Sequence, residues 1–141
     1  MKKFAILLVI TLLVCGCEKK EKYDYTCVKE FKDLPYKKSE TLEFSFDSAK
    51  VYKFYSVISE THENDDTLNG EYTSFQNLYD NYNENNVEAS YKKEDKNITA
   101  TYFLDKSDID NMKIDLPYNF KLSENGFVEL IKNSSYKCKK N

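Results

Sequence analysis

His62 is the single histidine of this 141-residue chain. An imidazole is the side chain best suited to moving a proton near neutral pH. Its neighbours, Thr61 and Glu63, lie in a polar stretch, so it reads as an exposed loop residue rather than a catalytic base. Carboxylates cluster at Asp65-Asp66 and at Asp105, Asp108 and Asp110. Grouped acids can hold a cation or divide acid and base roles. Asp108-x-Asp110-x-Met112, however, lacks the glycine and closing glutamate of a calcium loop. Asp65-Asp66 stands where helix capping and solvation already account for it. Cys27, Cys138 and His62 fall short of a tetrahedral zinc set. There is no Gly-x-Ser-x-Gly elbow, phosphate loop or dinucleotide fingerprint. No catalytic residue, metal ligand or cofactor is therefore expected, and the chain is not read as an enzyme.

The remaining chemistry-bearing residues are aromatic. Twelve Tyr and nine Phe stand against no Trp, a choice that suits strands and aromatic packing. Tyrosine is also a favoured contact residue, apolar along its ring and polar at its tip. Tyr79 with Tyr82, or Tyr52 with Tyr55, could line a protein or glycan contact. Packing at the edge of a modest core is the competing reading.

All 21 basic residues are lysine. No guanidinium fork is available to grip a phosphate or carboxylate bidentately. The formal charge of −3 gives no general field for nucleic acid, and that partner class is set aside.

The beginning of the chain is a different kind of segment. Lys2-Lys3 precede the apolar run 4–14, in which Thr11 is the one polar residue. The run is shorter than the roughly twenty residues of a membrane span and has the length of a signal-peptide core. Leu13-Val14-Cys15-Gly16-Cys17 resembles the lipobox of bacterial lipoproteins, with an aliphatic residue three places before the cysteine and a small one just before it. Val14 and Gly16 fill those places for Cys17, whereas Cys15 is preceded by the bulky Val14. The resemblance implies cleavage after residue 16, a diacylglyceryl thioether on Cys17 and anchoring by acyl chains. Each buried methylene contributes about 0.8 kcal/mol, and two chains suffice for stable anchoring. Residues 1–16 are thus expected to be a lipoprotein signal, 17–22 the lipidated cysteine with a charged tether, and 23–141 the folded domain. The expected location is the extracytoplasmic face of the cell membrane. Abundant Asn, Ile and Tyr without Arg point to an AT-rich genome, common among low-GC Gram-positive hosts.

Of four cysteines, Cys15 would leave with the leader and Cys17 would be consumed by lipid. Cys27 and Cys138 remain, in a compartment that permits oxidation. They form either one long-range disulfide or two independent free thiols.

The elements that must position these residues follow from periodicity. Residues 23–31 suggest a first strand. Leu42, Phe44 and Phe46 alternate with Glu43, Ser45 and Asp47, and residues 51–59 are β-rich, so 39–59 read as a hairpin turning at Asp47-Ser48-Ala49-Lys50. Leu68, Tyr72, Phe75, Leu78, Tyr79 and Tyr82 recur at helical spacing, with Asp66 or Thr67 as cap. Val87, Ala89 and Tyr91, then Ile98, Ala100, Tyr102 and Leu104, predict a second hairpin. A helical turn is expected near 107–112. Ser123 can cap a last helix with Phe127, Leu130 and Ile131 on one stripe, and residues 135–141 read as a basic tail. The predicted class is α+β: an antiparallel sheet of about five strands, from two hairpins and an N-terminal strand, covered on one face by two or three helices.

A Tyr-Thr-Cys strand soon after the lipobox, the Leu-Glu-Phe-Ser-Phe and Val-Tyr-Lys-Phe hairpin, a central helix and a terminal cysteine together resemble the small YehR-like lipoproteins. The pattern spans most of the mature chain. It implies an α+β lipoprotein and carries over no catalytic residues. The expected role is a membrane-tethered, non-enzymatic binding or interaction module with an envelope protein or glycan partner. An envelope enzyme or a structural envelope component is the alternative.

Overall fold

The computed structural model describes residues 21–141. The leader expected over 1–16 and Cys17 lie outside the described residues. Among those described, no helix is long and apolar enough to cross a membrane.

Strict alternation builds the sheet. On strand β2 (Lys37–Asp47) Glu40, Leu42 and Phe44 are buried, and on β3 (Lys50–Thr61) so are Phe54, Ser56 and Glu60. Strand β5 (Asn97–Asp105) buries Ile98, Ala100, Tyr102 and Leu104. Side chains two apart share one side of a pleated strand, so these residues all face one layer of helices. With β1 (Tyr25–Phe31), β4 (Glu88–Glu94) and β6 (Lys137–Lys140) the order is β4-β5-β3-β2-β1-β6, every pairing antiparallel. The architecture is α+β, as expected. The sheet has six strands rather than about five, because the C-terminal segment read as a basic tail pairs with β1 as an edge strand. Its lysines hid it: Lys137, Lys139 and Lys140 are exposed, and a charged short edge strand resists further pairing.

Helix α1 (Asp65–Glu84) starts two residues earlier than a cap at Asp66 would allow, and three earlier than one at Thr67. The Asn64 side chain caps it by accepting from the backbone N–H groups of Asp66 and Thr67. Leu68, Phe75 and Tyr79 are its buried stripe, while Leu78 is 44% exposed and does not belong to it. Helix α2 (Lys106–Asn111) closes a capping box between Asp105 and Asp108. Helix α3 (Glu124–Asn133) is capped by Ser123, as its sequence predicts, and buries Phe127, Val128 and Ile131.

Phe127 is the keystone between layers. Its ring meets Phe44 edge-on at 5.0 Å and stacks on Phe120 at 5.7 Å, and Phe44 in turn stacks on Phe54. Such aromatic pairs add about 0.5–1.5 kcal/mol each beyond the area they bury.

Cys27 and Cys138 are directly opposed in the β1–β6 register, with Cα atoms 4.0 Å apart, and they form a disulfide spanning 111 residues. The first of the two cysteine readings is therefore the one the structure shows. The bridge ties the last strand to the first.

Candidate functional site

Two carboxylates sit on the side of the sheet that faces the helices, where alternation calls for apolar residues. Glu40 accepts hydrogen bonds from Ser56 Oγ (3.1 Å) and Tyr118 Oη (3.3 Å) at one oxygen and from Tyr136 Oη (2.6 Å) at the other. Three hydroxyl donors make a buried charge tolerable. Burial, then the hydrogen bond to Glu40, holds the Tyr136 phenol far above its ordinary range, and burial followed by the Glu40 charge does the same for Tyr118.

Glu60 is the second carboxylate. Lys38 Nζ lies 2.9 Å from one of its oxygens, and His62 Nε2 lies 2.9 Å from the other. Burial pulls the Lys38 ammonium down in pKa, but the hydrogen bond and charge of Glu60 outweigh it and raise the group overall. His62 is 1% exposed, stacked 4.2 Å from the Tyr36 ring, with no partner among the described residues for its Nδ1. The expectation of an exposed loop histidine is corrected here. The residue lies just beyond β3 in the inward phase of Glu60, and its backbone N–H donates to Lys96 O in the β4–β5 turn. Shielded from solvent and engaged by Glu60, the imidazole braces the junction of β3 and α1.

The acidic clusters also act locally. Asp65 pairs with Lys96, which holds its carboxyl below the usual range. Asp110 pairs with Lys106, and Asp105 and Asp108 cap α2. Among the described residues, no three His, Cys, Asp or Glu are grouped to hold a metal ion.

The opposite side of the sheet has a different character. Its central row reads Ser90, Thr101, Val57, Thr41 and Val28 across β4, β5, β3, β2 and β1. The next row reads Glu88, Phe103, Tyr55 and Glu43, so two aromatic rings lie between two carboxylates. The helices pack on the other side of the sheet. Among the described residues, it is Tyr23 that crosses here, its ring 6.4 Å from that of Tyr55. Glu21, Tyr23, Glu43, Tyr55, Glu88 and Phe103 line one open groove of about 520 Å³.

The electrostatics of the groove are acidic. Burial, followed by the hydrogen bond and charge of Glu21 and the charge of Glu43, raises the Tyr23 phenol. One cation already sits at the rim: Lys53 Nζ is 3.3 Å from Glu21 Oε1 and 5.2 Å from the Tyr23 ring centre. Neither Glu43 nor Glu88 has an ion-pair partner among the described residues.

Of the tyrosine pairs singled out by sequence, Tyr55 lines the groove and Tyr52 does not. Tyr79 is 1% exposed and packs against Tyr82 and Tyr102 beneath α1, so that pair belongs to the core. Tyr23, Glu43, Glu88 and Phe103 carry no site motif in the sequence. Phase was the available signal: Phe103 lies between the inward-facing Tyr102 and Leu104, an aromatic where alternation calls for a polar group. No protein-family model, curated protein or solved structure matches the chain.

Proposed function

We propose that this chain is a lipid-anchored extracytoplasmic binding module, non-enzymatic, which meets an envelope partner through the sheet face its helices leave open. The observation that supports this reading is the row Glu88-Phe103-Tyr55-Glu43 lining one solvent-open groove with Tyr23. Tyr55 and Phe103 are partly exposed, beside carboxylates that have no ion-pair partner among the described residues. The two rings supply the rigid, amphipathic contact area that recognition surfaces use. The buried Glu60–His62 pair lacks the access to substrate that proton transfer requires. Acylation of Cys17 accounts for placing such a face close to a membrane, with residues 18–22 as the tether.

Photo-crosslinking in intact host cells tests this reading. A crosslinking residue at Thr101, on the open face, should give one reproducible adduct, and the same residue at Gln76, on the exposed side of α1, should not. The Thr101 adduct should be lost when Cys17→Ser releases the chain from the membrane. Equal labelling from both positions, or none from Thr101, would reject the proposal.

A further inference from the structure

We infer that the partner bound on this face is a protein segment presenting two lysine ammonium groups, one for Glu43 and one for Glu88, with an apolar side chain between them on Tyr55 and Phe103. This rests on the binding reading above and names the chemistry the same site would take.

Charge and geometry both lead there. Glu88 and Glu43 flank the two aromatic rings and neither has an ion-pair partner among the described residues, while beyond Glu43 the row runs on to Thr26, whose hydroxyl donates to Glu43 at 3.4 Å, and to Lys139. A cation near an aromatic face and a carboxylate is attracted by both. The groove shows the arrangement on a small scale at its rim, where Lys53 shares Glu21 and the Tyr23 ring.

Spacing narrows the class. Glu43 and Glu88 stand three strand positions apart, hence roughly 14 Å at ~4.8 Å per step. In an extended segment, residues i, i+2 and i+4 share a side, and four residues at ~3.3 Å rise span roughly 13 Å. A Lys-x-apolar-x-Lys segment laid along the row would thus set each ammonium near one carboxylate and the central side chain on the rings. Neither a bare anion nor a neutral sugar meets the two charges.

A blocked synthetic peptide, Lys-Ser-Val-Ser-Lys, tests the inference against the full-length chain. The readout is the aromatic NMR signals of Tyr55 and Phe103, followed to saturation. Binding should weaken roughly tenfold or more when both peptide lysines are acetylated, and by a similar factor in Glu43→Gln/Glu88→Gln. It should also weaken with added salt. Glu88 is exposed, and Glu43 is partly so with one long hydrogen bond from Thr26 that a glutamine oxygen can still accept, so the double variant should melt close to the parent chain. Equal binding of the acetylated peptide would overturn the inference while leaving the binding reading intact, since the face would then hold a ligand without using charge. Saturation of neither peptide at millimolar concentration would also overturn it, and the Thr101 crosslink would decide the wider reading separately. Self-association of the chain abolished by Glu43→Gln/Glu88→Gln, without peptide binding, would assign the face to a second copy and likewise overturn it.

Discussion

Tyr136, 8% exposed just before the last strand, donates its hydroxyl proton to Glu40 Oε2 at 2.6 Å, a bond joining residues 96 apart in sequence. It sits one residue before β6 and reaches Glu40 on β2, so Oε2 gains its hydroxyl donor only once the C-terminal segment has docked, while Ser56 and Tyr118 serve the other oxygen. Tyr136→Phe should lower unfolding free energy by about 1–3 kcal/mol in a denaturant titration, the range for stranding a buried polar partner. Tyr23→Phe, which loses only a hydroxyl bonded to the exposed Glu21, should change it by under about 0.5 kcal/mol. Equal effects would remove Glu40 from its place in the core.

Alkaline pH should unfold the chain. Tyr79, Tyr102, Tyr118 and Tyr136 all have phenol pKa values raised first by burial. A raised folded-state value means that the folded chain keeps protons the unfolded chain releases. Stability from these groups is therefore complete below about pH 10, the unfolded phenol value, and declines above it. Lys38, raised by Glu60 despite its burial, acts in the same direction. Melting temperature should fall steeply above about pH 10, and tyrosinate absorbance should rise in a cooperative step with unfolding. Smooth titration of all twelve tyrosines in a chain that stays folded would contradict the burial pattern.

The disulfide should matter more than any one packing contact. Closing a loop over 111 residues is worth up to about 5 kcal/mol by chain entropy, and native bridges typically contribute 2–5 kcal/mol. Cys27→Ala/Cys138→Ala should lose that much, with β6 amides exchanging first in hydrogen-exchange measurements. Those amides belong to a four-residue edge strand held on one side. Unchanged protection at Lys137–Lys140 would show that pairing with β1 holds the strand without the bridge.

Backbone economy gives an opposite test. Gly70 lies inside α1 and a Cβ there would meet nothing within 4 Å. Gly70→Ala should add about 0.8–1 kcal/mol. At the β2–β3 turn Ser48 and Ala49 take φ of 49° and 87°, a left-handed pair for which Asn-Gly is better suited. Ser48→Asn/Ala49→Gly should add roughly 1 kcal/mol more. Both gains are read as shifts in the denaturant midpoint, and a loss at either site would reject the local conformation assigned there.

The fold was legible wherever apolar period and burial agreed. Leu42 and Phe44, the Ile98 to Leu104 alternation and the Phe127–Ile131 stripe each announced an element correctly. β6 was not legible, because four residues rich in lysine carry no apolar phase and its pairing is fixed by a cysteine 111 positions away. The site was harder for a related reason. Glu40, Glu60 and His62 take inward positions, and Tyr55 and Phe103 take outward ones, so each reverses the rule that located its strand. Those reversals are visible in the sequence once register is known, but register between β2, β3, β4 and β5 is a tertiary property. Glu88 and Glu43, 45 positions apart along the chain, come into one row only after four strands have paired.

Hydroxyl-radical footprinting of the open face, comparing intact host cells with the purified full-length chain, tests the central claim most directly. Tyr55 and Phe103 should be oxidised several-fold less in cells than in solution, while Leu78, exposed on the far side of α1, is oxidised equally in both. Equal oxidation of Tyr55 and Phe103 in the two settings would mean that nothing covers the groove where the protein works, and the binding face proposed here would be wrong.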